Sequence, residues 1–162
     1  MPFTVRDFQL EDFERLWRID QDCFPPGISY SRQELKFYVR RRGAITLVAA
    51  HDPEQPAREK SANLSAAGKV AGFIVAHPGG TGHIVTIDVV ASARRSGVGS
   101  LLLRTAEDRL RSAGSRAVAL ETAVDNVSAL AFYKRHGYSV LKTIPRYYSN
   151  GIDALVLEKE LA

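Results

Sequence analysis

The run from Val85 to Leu103 constrains the fold more than any other stretch. An apolar, β-branched strand passes straight into a basic turn with two glycines, and that turn opens an amphipathic helix. Gly97 and Gly99 can adopt positive φ and carry no Cβ, so consecutive backbone N–H groups can converge on an anion where a helix dipole begins. Arg94 and Arg95 add positive charge beside them. This is the chemistry of a pyrophosphate cradle. Two rival phosphate motifs are absent: Leu102 stands where a dinucleotide fingerprint needs its third glycine, and Ser100-Leu101 follows Gly99 where a P-loop needs Lys-Ser or Lys-Thr. The plainer alternative is a tight strand-to-helix turn with two solvated arginines.

Around that unit, the expected element order is β-α-α-β-β-β-α-β-α-β-β. Phe3–Arg6 reads as a first strand. A helix follows from about Leu10 to Asp22, with Phe13, Leu16, Trp17 and Ile19 on its apolar stripe. Phe24-Pro-Pro-Gly-Ile-Ser-Tyr30 breaks it, and Ser31 with Glu34 forms a capping-box signal for a second helix to Arg41, with Leu35, Phe37, Tyr38 and Val39 as apolar positions. Ala44–Ala50 and Val70–His77 read as paired strands joined by a long polar segment, 51–69, expected to be a mobile hairpin loop. His83–Val90 is the central strand. After the cradle helix, Ala117–Ala123 is a strand, Asp125-Asn126 cap a helix to His136 with Gly137 as its C′ residue, and strands near Tyr138–Thr143 and Asp153–Glu158 follow.

With 162 residues, 45% hydrophobic and 25% charged, the chain fits one domain, residues 1–162. A single cysteine excludes an internal disulfide and a CxxC metal pair, and the four histidines show no ligand spacing, so no metal is expected. With no leader or membrane-length apolar run, a soluble cytoplasmic protein without a membrane partner is expected. The net charge of +4 favours acidic partners, but the basic residues are scattered, which argues against specific nucleic-acid binding. Arg40-Arg41-Arg42 reads as a solvated helix end.

Arg94-x-x-Gly97-x-Gly99 after a strand resembles the acyl-coenzyme A signature of the GNAT superfamily of N-acetyltransferases. Further on, Asn126, Ala129, Tyr133, Gly137 and Tyr138 resemble its second signature, again behind a strand and on a helix. Within the superfamily the Leu120-Glu121 strand, that helix and Pro145-Arg-Tyr-Tyr148 before Asp153-Ala-Leu resemble the RimI-like N-terminal acetyltransferases. The resemblance implies an α/β GNAT fold, a mixed and mostly antiparallel central sheet of about seven strands flanked by about four helices. It also implies acetyl-coenzyme A as cosubstrate. The backbone of Ile87, Asp88 and Val89 would hold the pantetheine arm, Arg94, Arg95, Ser96, Gly97, Val98, Gly99 and Ser100 the pyrophosphate, and Asn126 the coenzyme further along.

In relatives of this kind a strand glutamate twelve residues before a helix tyrosine is the general base and the tyrosine is the acid, a spacing that Glu121 and Tyr133 satisfy. Physical chemistry asks for the same pair, since a protein α-amine with a pKa of about 8 must lose a proton before it attacks a thioester, and the departing thiolate must gain one. Other readings stay open. Glu121 can be a solvated strand carboxylate, Tyr133 a core aromatic, and Asn126 only a cap. Asp88 stands where such relatives have a small residue, either as a second base beside the thioester or merely solvated. Cys23 reads as a packed thiol. For the amine, Phe24, Pro25, Ile28 and Tyr30 are expected to face Tyr147 and Tyr148 across an apolar slot suited to a peptide end. A protein N-terminus, such as that of a ribosomal protein, is therefore preferred, for a monomer or a homodimer. The alternatives are a small amine such as a polyamine or antibiotic, a non-catalytic coenzyme A-binding regulatory module, or a basic ribosome-associated module.

Overall fold

A computed structural model describes residues 3–51 and 69–161. The strands are β1 (Phe3–Asp7), β2 (Ile45–His51), β3 (Val70–His77), β4 (Thr81–Val89), β5 (Ala117–Ala123), β6 (Ser139–Ile144) and β7 (Ala154–Glu160). The helices are α1 (Phe13–Cys23), α2 (Arg32–Arg40), α3 (Val98–Ser112) and α4 (Val127–Arg135). The seven strands form one sheet in the order β1-β2-β3-β4-β5-β7-β6. The expected element order and sheet class are thus found, and the sheet is antiparallel except between β4 and β5. No helix among the described residues is long and apolar enough to cross a membrane.

Strand β3 is buried along its whole length because both faces are covered, so it reads as an unbroken apolar run rather than an alternating one. On one face, Val98, Leu102, Leu103, Ala106 and Leu110 of α3 pack on Leu47, Ile74 and Ile84, joined by Tyr133 of α4. On the other, Leu16, Ile19 and Leu35 from α1 and α2 pack on Val48, Phe73 and Val75. Local signals set the helix ends. The Ser31–Glu34 capping box forms in both directions, Asn126 Oδ1 accepts the Ala129 N–H at 3.2 Å, and Gly137 ends α4 at φ 91°.

Three expectations need correction. Helix α1 begins at Phe13, because Leu10–Asp12 forms a 3-10 turn before it. Phe37 is not an apolar contact but 65% exposed, since the inward stripe of α2 runs through Leu35, Tyr38 and Val39 and position 37 falls off it. Gly99 does not take positive φ: the left-handed residues of the cradle are Gly97, at φ 88°, and Arg95, at φ 63°. The segment 51–69, expected to be a mobile loop, lies outside the described residues apart from its two ends.

One irregularity matters for function. The parallel ladder runs only from Thr81 opposite Ala117 to Ile84 opposite Leu120, and beyond it β4 and β5 part. A bulge at the same point makes Val75 pair with Thr86 and Ala76 with Ile84, leaving Val85 as the extra residue. The strands open into a wedge there.

Candidate active site

The wedge is the floor of a cleft of about 700 Å³. From β4 come His83, Ile87 and Val89, from β5 Glu121, from α4 Tyr133, and from the cradle Arg94, Arg95, Gly97, Gly99 and Ser100. Phe24, Pro25, Ile28 and Tyr30 between α1 and α2 form one wall, with Tyr147, Tyr148 and Ile152 between β6 and β7 completing the mouth.

His83 Nε2 lies 2.6 Å from Glu121 Oε2, so the imidazole N–H donates to the carboxylate. The pair is partly exposed, at 41% and 24% of the side chains. Sequence reading missed His83, having asked of it only metal-ligand spacing. Strand alternation places the contact only once the register is known: His83 pairs with Ala119, and Glu121 is the next residue of β5 on that face. Tyr133 is 6% exposed, and burial first, then the Asp88 carboxyl and Tyr148, push its hydroxyl well above the usual phenol range. It is a proton donor at any physiological pH.

At the cradle, no backbone N–H from Arg95 to Ser100 meets a backbone carbonyl among the described residues. The left-handed turns at Arg95 and Gly97 curve this run inward, and a Cβ at Gly99 would sit 3.5 Å from Phe132, in ordinary contact. A run of unpaired donors at a helix start, flanked by two arginines, fits a pyrophosphate. Arg94 has a second task, since its Nε donates to the Val89 carbonyl at 3.1 Å. The Val89 carbonyl also meets Cys23 Sγ at 3.4 Å, so it is already engaged from within the protein. Burial, with Asp88 beside it, pushes the Cys23 thiol up to about 11, which suits a packed residue rather than a nucleophile.

Asn126 lines the cleft, and its Oδ1 caps α4. One expectation changes. Asp88 is not solvated and does not line the cleft: it is 1% exposed and its carboxyl accepts from Thr86 Oγ1 at 2.5 Å, on the face of β4 that meets α1.

Residues 13–138 match the model of the acetyltransferase (GNAT) family. The chain belongs to that family. It is 38% identical over 95 residues to an uncharacterized N-acetyltransferase of Methanocaldococcus jannaschii, covering 57% of this chain and 61% of that one. It is also 38% identical over 73 residues to N-alpha-acetyltransferase 30 of Schizosaccharomyces pombe, covering 45% and 49%. The chain thus spans between about half and three-fifths of these relatives. In structure, this GNAT chain superposes on Ard1 from Thermoplasma volcanium with a TM-score of 0.83 and 26% identity, over 100% and 99% of the two chains. The ribosomal-protein-S18-alanine N-acetyltransferase of Escherichia coli, at 20% identity and a TM-score of 0.78 over 99% and 94%, shares the fold.

Proposed function

We propose that this chain, as one domain, transfers the acetyl group of acetyl-coenzyme A to a protein N-terminal α-amine. The observation that carries the reading is the juxtaposition, in one cleft, of an unpaired N–H cradle, the His83–Glu121 pair and the buried Tyr133 phenol. The names of the N-alpha-acetyltransferase relatives support it.

The chemistry divides among these residues. Arg94 to Ser100 hold the coenzyme's pyrophosphate, and the edge of β4 that β5 leaves open at Ile87–Val89 takes the pantetheine arm, the Val89 carbonyl staying with Arg94 and Cys23. Bound there, acetyl-coenzyme A supplies an activated carbonyl. Glu121 accepts the ammonium proton of the incoming amine, directly or through water, while the imidazole N–H of His83 orients the carboxylate. Tyr133 gives a proton to the departing thiolate. No covalent enzyme intermediate is needed, which agrees with a cysteine whose thiol stays protonated.

On the amine side, the Tyr147 and Tyr148 rings stack edge-on at 4.9 Å, and Ser149 Oγ donates to the Gly27 carbonyl at 3.0 Å, tying the two loops together over the cleft. Glu121 is the only carboxylate besides Asp125 on the described lining, too few for a polycation. An extended peptide end fits better. Tyr148→Ala is expected to raise KM for a peptide at least about fivefold while leaving KM for acetyl-coenzyme A nearly unchanged. Equal changes in both, or none, would contradict the placement of the peptide.

A further inference from the structure

Outside the cleft, two buried carboxyl groups meet across the seam between α1 and β4. Asp20 is 0% and Asp88 1% exposed, and the two lie within hydrogen-bond reach of each other. Each has one oxygen accounted for: Asp20 Oδ2 accepts the Tyr30 N–H at 2.7 Å, and Asp88 Oδ1 accepts from Thr86. The other two, Asp20 Oδ1 and Asp88 Oδ2, have no donor although both are buried. Two carboxylates cannot face each other in this way, because their repulsion would add to the cost of burying each charge. One proton between them satisfies both orphan oxygens at once.

We propose that Asp20 and Asp88 share a proton and act as a positioning clamp that holds the amine-side loop on β4. This rests on the assignment of Phe24–Tyr30 as substrate wall. Through Asp20 the clamp grips the Tyr30 N–H, while Trp17 Nε1 and Gln21 Nε2 donate to the Tyr30 carbonyl at 3.1 and 2.7 Å. The Tyr30 hydroxyl then donates to the carbonyl of the bulged Val85 at 3.2 Å. Neither carboxyl touches the reacting atoms. Their effect passes through Tyr30.

The charged and titratable surroundings fix the direction of the pH response. Glu34 of α2 acts on Asp20, Arg94 of the cradle acts on Asp88, and Asp88 in turn acts on Cys23 and Tyr133. Burial first, then the facing Asp20, drives Asp88 well above the usual carboxylate range, so the folded protein holds a proton that the unfolded chain has released. The clamp is whole below that elevated value and fails as pH rises through it, when two negative charges push α1 from β4.

The test pairs a direct reading with kinetics. Carbon-13 NMR of aspartate-labelled protein should show one carboxyl signal that titrates well above the usual aspartate range and that Asp20→Asn removes. In Asp20→Asn the amide donates to Asp88 and still accepts from Tyr30, so no proton is needed. Wild type should show an alkaline rise in peptide KM that this variant lacks. Asp20→Ala, which frees Tyr30, should raise peptide KM about tenfold at all pH with acetyl-coenzyme A KM unchanged. A wild-type titration in which every aspartate falls in the usual carboxylate range, or an alkaline KM rise that persists in Asp20→Asn, overturns the clamp. If no peptide is acetylated at all, the substrate assignment fails, and the NMR titration still decides the shared proton.

Discussion

His83 and Glu121 form the contact in the cleft on which the proposed proton transfer turns, and their 2.6 Å separation comes from two strands that run parallel for only four pairs. A base in this position matters while the amine is protonated and less once solvent has taken the proton. Glu121→Gln should therefore lower kcat/KM about a hundredfold near neutral pH, with the deficit shrinking as pH rises past the amine's pKa of about 8. A pH-rate profile of the two proteins on one peptide checks this. A deficit constant with pH would mean that the carboxylate only positions the substrate.

At the scale of elements, the cradle is where the chain's local rules and its ligand chemistry coincide. Gly97 is needed for its left-handed φ, whereas Gly99 sits in the first turn of α3, where a Cβ would meet Phe132 and Val89 only at ordinary distances. Gly99→Ala should bind acetyl-coenzyme A close to wild type, because the added Cβ meets Phe132 at ordinary distance. Gly99→Glu should weaken binding at least about a hundredfold by placing like charge in the anion site, with the circular dichroism spectrum unchanged. Calorimetric titration of both variants decides it. Much of this level was legible in the sequence, since the capping box at Ser31, the C′ glycine at Gly137 and the strand-to-helix cradle all rest on short-range chemistry. Position 37 was misread because an apolar residue off the stripe looks the same in composition as one on it. The His83–Glu121 contact and the Asp20–Asp88 pair were not legible, because each depends on a register or a bulge that joins distant segments.

Across the whole molecule, the ends of the second signature serve the fold as much as the site. Tyr138 donates to Glu107 Oε2 at 2.7 Å inside the core, and Lys159 Nζ meets both Glu107 oxygens at 3.0 and 3.2 Å, so α3, β7 and the end of α4 are bolted together at one carboxylate. Tyr138→Phe removes one hydrogen bond to a charged group and should cost about 2 kcal/mol of stability, read by denaturant unfolding, while KM for both substrates holds. The most direct measurement of what the cleft does is a competition within one molecule: a peptide carrying both a free α-amine and an internal lysine, incubated with acetyl-coenzyme A and mapped by fragment-ion mass spectrometry. The acetyl group is expected on the α-amine almost exclusively, since its pKa of about 8 against about 10.4 for lysine suits the Glu121 base and its chain end suits the slot. Acetylation of the lysine to an equal or greater extent would contradict the account.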